Sequence, residues 1–287
     1  MINLDSNYTE DTNTNFLQKV VDEDLENNNY TRDICTRFPP EPNGYLHIGS
    51  AYAININYEI AKKYKAKTFS YSPIVKKGTF DAPHKRNYGV KKSMGKYVYY
   101  VDADMELSKN LIEECVKLCD VKYDALIIPE DSFGIGVWAS AKNLERRCYF
   151  GDNSVEAPRF FKKTVWQNVG GLDESLGGGG DDWDLYQKIL EKGYRVGRTK
   201  NIVRHNESNL KLTKLVKKRF MYGRDSFSYV TKRPRAGFIS YFPIRKAYLK
   251  NWKLFARRPK DTFFFIIMRT TEYGAGFTGV LYSLLNK

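Results

Sequence analysis

Residues 96–108 read "KYVYYVDADMELS". All five residues between Lys96 and Asp102 are aromatic or β-branched, the composition of a buried strand. Two acids follow, one residue apart. Alternation along a strand would place Asp102 and Asp104 on one face, at the C-terminal end where open α/β sheets bind ligands. Two carboxylates there can hold a divalent cation, which in turn neutralises a diphosphate. The same pair also suits a solvated turn at a strand end, and the stretch alone leaves both readings open.

The pattern continues on either side. Upstream, "TFSYSPI" (68–74) is strand-like, and "APHKRNYGVKKSMGK" (82–96) reads as a helix closing at Gly95. Downstream, "SKNLIEECVKLC" (108–119) reads as a helix with Ser108 as its N-cap, and "DALIIPE" (124–130) as a strand. "WDLYQKILEKG" (183–193) is a helix stopped by Gly193, and "YRVGRTKNIVRHNE" (194–207) is a strand and turn. Strand–helix alternation predicts an α/β fold with a mostly parallel sheet and helices on both faces. Residues 208–235 predict an amphipathic helix, with Leu212, Leu215, Val216 and Phe220 on one face and Lys217, Lys218 and Arg224 on another.

Four segments follow from these shifts in character: an acidic lead with a short helix (1–30), a β-turn-α unit (31–67), an α/β core (68–207), and a basic amphipathic helical extension (208–287). The 287 residues suffice for a sizeable core, and the composition is that of a globular protein, 42% hydrophobic and 28% charged. The net charge of +14 is uneven. Residues 1–30 carry seven acids against Lys19, whereas residues 211–260 carry sixteen Lys or Arg against Asp225. A block of that kind meets phosphate, on a nucleic acid or an anionic membrane surface. Of the four cysteines, Cys115 and Cys119 stand at helical spacing with Leu111, Ile112 and Leu118 and read as core. With no zinc spacing, no signal peptide and no apolar run of membrane-spanning length, the expectation is a reduced, cytoplasmic chain.

"TRFPPEPNGYLHIGSA" (36–51) is a strand, a Pro-stiffened turn and a helix start, which can bind an anion on the free N–H groups of the first turn. Residues 15–67 resemble the N-terminal start of glutaminyl-tRNA synthetases. In that family a His-Ile-Gly-His tetrad binds ATP; here it is His47, Ile48, Gly49 and Ser50, without the second His. His47 and Gly49 are thus a vestigial ATP site on this resemblance, and no counterpart of the family's second ATP motif is present.

A second resemblance covers about residues 68–287. Arg86-Asn87 before a Gly-Lys-Tyr turn, a strand, and then Asp102 and Asp104 resemble the glycosyltransferases of family 2, which have the GT-A fold, a Rossmann-like sheet. The resemblance implies that Arg86, Asn87, Asp102 and Asp104 bind the nucleotide sugar. It also implies that Asp104 and His205 serve a divalent metal, magnesium or manganese. "RFFKKTVWQNVGGLDESLGGGGDDWDLYQKILEKGYRVGR" (159–198) resembles the acceptor side of the same enzymes. There Asp182 matches the catalytic base, which takes a proton from the acceptor hydroxyl. Asp181 stands where Glu is common, and Trp183 either stacks on a sugar or packs. Glu156 and Arg159 are candidates for the acceptor or the pyrophosphate. The family's usual first nucleotide-binding half is replaced by the synthetase-like unit.

The reading is therefore a hexosyltransferase-type enzyme that moves a sugar from a nucleotide donor to a glycan or lipid-linked acceptor. Its alternatives are a synthetase-derived ATP- or tRNA-binding fragment and an inactive chimera. The basic, aromatic C-terminal region favours an anionic membrane surface over nucleic acid as partner. This predicts a peripheral protein at the cytoplasmic face of the membrane.

Overall fold

The structure is a computed structural model that describes residues 16–29, 59, 62–63, 81–102, 104–176 and 180–285. The chain forms two compact units, 1–70 and 71–287. In the first, helix α1 (Phe16–Glu26) is the short helix expected in the acidic lead, and Asp22 pairs with Lys63 at 2.8 Å. His47 and Gly49, Cys35, and the strand expected at 68–74 lie outside the described residues.

The second unit holds two mixed sheets. The first has the order β1 (Tyr97–Tyr99), β5 (Phe160–Lys162), β3 (Ala125–Ile127), β6 (Val196–Arg198). The second has the order β2 (Met105–Leu107), β7 (Val203–Asn209), β4 (Glu130–Ile135). Strands β3–β6 and β4–β7 pair in parallel, while β1–β5, β3–β5 and β2–β7 are antiparallel. The architecture is mixed α/β and compatible with a GT-A-like fold, but the mostly parallel sheet predicted from the sequence is only partly present. The physical reason is β5. It lies antiparallel to both of its neighbours, β1 and β3, so β3–β6 is the one parallel pair of that sheet among the described residues, and in the second sheet β2 runs antiparallel to β7.

Helices cover both faces of the first sheet, and strand alternation assigns them. Phe161 and Ala125 point into a cluster with Val90 of α2 (Ala82–Lys92), Val165 and Trp166 of α5 (Lys163–Asn168), and Leu185 and Ile189 of α6 (Asp181–Glu191). Their neighbours Phe160 and Leu126 point the other way, to Leu111, Cys115 and Cys119 of α3 (Leu111–Val121). Burial pushes the Cys115 thiol up to about 12 and that of Cys119 to about 11, as befits inert core residues.

Three local expectations change. Ser108 does not cap α3. The N-cap position is held by Asn110, in the left-handed conformation that Asn tolerates and without a side-chain capping bond, and the Ser108 hydroxyl instead donates to the Ile202 carbonyl. The helix before β1 stops at Lys92, because the Ser93 N–H and hydroxyl turn back onto the Gly89 and Val90 carbonyls. "DALIIPE" is two strands, β3 and β4, because Pro129 has no N–H for the ladder.

The C-terminal region is a helical bundle: α7 (Leu212–Lys232), α8 (Pro234–Tyr241), α9 (Lys246–Lys250), α10 (Trp252–Arg257) and α11 (Pro259–Leu285). Leu215, Phe265 and Met268 pack with Ala139, Ala141 and Leu144 of α4 (Val137–Cys148). Inside this bundle lies an ionic chain. Lys142 and Arg269 both bond Glu145, at 2.7 and 3.1 Å, and Arg269 and Arg219 both bond Glu272, at 2.6 and 3.1 Å. The link from α6 to the bundle is also ionic. Asp184, fully buried, accepts from Lys188 and Arg233, both at 3.0 Å.

Candidate active site

The strand from Lys96 ends at Tyr99, and the next begins at Met105 in the other sheet. Asp102 and Asp104 thus lie in the link between the two sheets rather than on one strand face, which corrects the alternation argument. Their partners differ accordingly. Asp102 faces two guanidinium groups, Arg86 at 3.1 Å and Arg159 at 3.2 Å. Burial alone would raise its carboxyl, but Arg159 and Arg86 outweigh it and hold the group below the usual carboxylate range. Both guanidinium groups lie over the Tyr100 ring, 4.6 Å and 5.6 Å from its centroid.

Asp104 faces His205 instead, with its oxygen 3.1 Å from Nε2. The strand register explains the meeting. His205, on the middle strand β7, is opposite Met105 on one side and Ser132 on the other. Glu130, two residues before Ser132 and on the same face, bonds His205 Nδ1 at 2.7 Å. Glu130 also accepts from Arg146 at 2.9 Å and from Arg159 at 3.4 Å. Despite its burial these cations and the His205 ring hold Glu130 far below the usual range. Burial depresses His205, but the bond and charge of Glu130 outweigh it and the ring's pKa is raised. The result is one continuous chain of alternating charge: Arg86, Asp102, Arg159, Glu130, His205, Asp104.

Asp181 and Asp182 open α6. Gly180 precedes them at φ +115°, and a Cβ there would stand 2.6 Å from the Tyr229 ring, so only glycine fits this approach. Asp181 is buried and lies 3.6 Å from Arg86, which ties the pair to the Asp102 end of the charge chain. Burial and the neighbouring Asp182 push the Asp181 carboxyl up to about 7 against the pull of Arg86. Asp182 is half-buried and accepts from the Trp183 N–H at 2.9 Å.

The other candidates fall in less open positions. The Asn87 side-chain amide is engaged by the 172–174 loop. It donates to the Leu172 carbonyl at 2.8 Å and to Glu174 at 3.0 Å, and accepts from the Leu172 N–H at 2.9 Å. Trp183 donates its Nε1–H to the Val155 carbonyl at 3.0 Å and packs with Tyr229 and Tyr241, as one member of an aromatic trio. Glu156 pairs with Arg198 at 2.5 Å, away from Asp102. Glu130 and Arg146 have no place in the motif reading. The one signal for Glu130 was "LIIPE", an acid closing an apolar run as Asp102 does. Nothing in the sequence marks Arg146.

As a cation site the residues fit in part. Glu130 holds His205 Nδ1 and so turns Nε2 toward Asp104, the arrangement by which a carboxylate orients a ligating histidine. Among the described residues no three His, Cys, Asp or Glu side chains converge on a point. The protein offers two donors, and phosphate oxygens of a substrate would have to supply the rest, as is usual for magnesium.

Comparison with known proteins divides the chain. Residues 57–170 match the profile of glycosyl transferase family 2, and residues 157–210 match that of the N-terminal domain of galactosyltransferase. Residues 33–69 match the catalytic domain of class I tRNA synthetases for Glu and Gln. The chain is 59% identical over 51 residues to glutamine–tRNA ligase of Cronobacter sakazakii, which is 18% of this chain and 9% of that protein. It is 38% identical over 106 residues to glutamine–tRNA ligase of Ralstonia nicotianae, 30% of this chain and 18% of that protein. The chain therefore spans under a fifth of these relatives. It is a composite, with a synthetase-like segment ahead of glycosyltransferase-like sequence, and the two kinds of match overlap at residues 57–69.

Proposed function

We propose that the protein is a hexosyltransferase that moves a sugar from a nucleotide-sugar donor to a hydroxyl of a glycan or lipid-linked acceptor. The observation that supports this most is the charge chain from Arg86 to Asp104, joined through Arg86 to the Asp181–Asp182 pair, within residues that match the two glycosyltransferase profiles.

The chemistry follows from the charges. Asp182, as a carboxylate, takes the proton of the acceptor hydroxyl while that oxygen bonds the anomeric carbon. The bond from the anomeric carbon to the diphosphate breaks, and its electron pair leaves with the nucleoside diphosphate. Arg86 and Arg159, fixed by Asp102 and Glu130, are placed to meet the charge that develops on the leaving group. Asp104 and His205 would hold a magnesium or manganese ion, which supplies neutralising charge to the diphosphate when bound. Asp181, whose carboxyl is raised to about 7 by burial and by Asp182, carries less charge at neutral pH than a free carboxylate and so limits the negative charge beside Asp182.

The test is donor binding and turnover by the full chain, across a panel of nucleotide sugars with manganese. Asp182→Asn is expected to keep donor affinity and lower kcat by roughly 10²–10⁴-fold. No binding of any nucleotide sugar, with Asp102→Asn indistinguishable from the parent, would sink the proposal. In that case glutamine-dependent ATP–pyrophosphate exchange decides between a synthetase-derived activity and an inactive chimera.

A further inference from the structure

Helix α11 buries charge beside its apolar core residues Phe265 and Met268 and turns an uncharged, largely apolar face to the outside. Its two charged residues beyond the first turn, Arg269 and Glu272, are buried and paired with each other. Its exposed face is uncharged: Phe263, Ile266, Thr270, Phe277, Leu281 and Leu284 follow one another at intervals close to whole helical turns. This stripe runs the length of a 27-residue helix, about 40 Å. Exposed apolar surface of that extent marks an interaction face.

Beside the stripe lies an apolar groove of about 720 Å³ between α7 and α11. The two helices touch backbone to backbone, since a Cβ on Gly223 would lie 2.0 Å from the Gly276 carbonyl and one on Gly279 2.1 Å from that of Phe220. Val216, Phe220 and Met221 wall the groove on one side, and Ala275 and Thr278 on the other. Gly274 leaves it open, with nothing within 4 Å of where its Cβ would be. The charges near it are positive. Lys217 contributes to the lining, and Lys214 and Lys218 are exposed on the same helix; none of the three has a carboxylate partner among the described residues.

We propose that α11 lies in the plane of an anionic lipid bilayer, its uncharged stripe in the acyl region, one lipid chain in the α7–α11 groove and the headgroup phosphates met by Lys214, Lys217 and Lys218. A bilayer surface offers apolar depth below and negative charge above, and the two levels match the stripe and the lysines. No described helix is long and apolar enough to cross a membrane, and the buried Arg269–Glu272 pair keeps the opposite face of α11 on the protein. The inference does not depend on the transferase reading, because it uses none of that site's residues.

Flotation of the full chain with phosphatidylcholine vesicles, with and without one third phosphatidylglycerol, tests it. The chain is expected to float with the anionic vesicles. Lys214→Gln, Lys217→Gln and Lys218→Gln together should lower partitioning roughly a hundredfold, at about fivefold per cation. Phe277→Asp should also release it without moving Tm, since Phe277 is exposed. Gly274→Leu places its Cβ in open space and removes a helix-weakening glycine, so it should fold at least as well yet float severalfold less. A parent that stays in the aqueous fraction overturns the proposal, as does a triple variant that floats like the parent. Unaltered flotation of Gly274→Leu removes the lipid chain from the groove. A lipid-free dimer in sedimentation velocity, abolished by Phe277→Asp, would give the stripe to a second copy and overturn the membrane assignment.

Discussion

Two of the chains of alternating charge among the described residues differ in what surrounds them. The one in the helical bundle, Lys142–Glu145–Arg269–Glu272–Arg219, is closed: the side chains of Glu145 and Glu272 are 2% and 1% exposed. The one between the sheets, Arg86–Asp102–Arg159–Glu130–His205–Asp104, is anchored on buried Glu130 but opens at its ends. Asp102 and Asp104 are 41% and 56% exposed. A closed network leaves no room for a ligand and fixes how helices pack. An open one keeps charge oriented where a ligand can reach it. The same residue types thus serve two ends, and access to solvent is what separates them.

The comparison is broken most forcefully at Glu145. Glu145→Ala strands Lys142 and Arg269 without their shared partner in the interior, and should cost about 3–5 kcal/mol of stability. Chemical denaturation measures it, and a loss under 1 kcal/mol would show that the bundle network is not a packing device. Nucleotide-sugar affinity of the folded variant should be unchanged.

The Asp181–Asp182 pair sharpens the contrast through pH. The Asp181 carboxyl, raised to about 7 in the fold, binds a proton that an unfolded Asp releases near 4. Native protein therefore holds more protons than unfolded protein between those values. Stability from this group is full below about pH 4 and falls as pH rises through 7. Asp181→Asn should flatten that decline in Tm across pH 4–7, and an unchanged slope would argue against the raised carboxyl. Glu145 and Asp102, both depressed, act in the opposite sense: their contribution is present at neutral pH and is lost on acidification.

The smallest effect belongs to the open end. Asp102 is partly solvated, so Asp102→Asn should change stability by less than about 1 kcal/mol while weakening donor binding. Equilibrium denaturation beside titration calorimetry reads both. A large stability loss would place Asp102 with the closed network and remove the distinction drawn here.

Much of this was legible in the residue order. The apolar runs at 97–101 and 125–128 located two of the four described strands of the first sheet. The spacing of Leu111, Cys115 and Cys119 gave a helix and its buried face, and Gly193 gave a stop. Asp102 and Asp104 stood out because two acids closing an apolar segment need a reason, whereas Asp182 and His205 stood out through the resemblance to the family 2 glycosyltransferases, and Arg159 as a candidate beside that motif. Glu130 did not, since one acid after a proline has many uses. Arg146, in mid-helix, gave no signal at all.

What the sequence determined by itself is local: which segments are helical or extended, which faces are apolar, where the charge is concentrated, and the composite origin that the motifs of its two parts disclose. These depend on period, turn chemistry and residue identity over a dozen positions. The tertiary structure decided how β5 threads between β1 and β3, which acid Arg159 shares with Arg146, and that Asp102 and Asp104 face different partners. It also decided that Arg269 and Glu272 point inward while Phe263 and Phe277 point out. Each of these depends on the register between segments distant in the chain, and on whether a charge finds a partner once water is excluded. A sequence pattern carries neither.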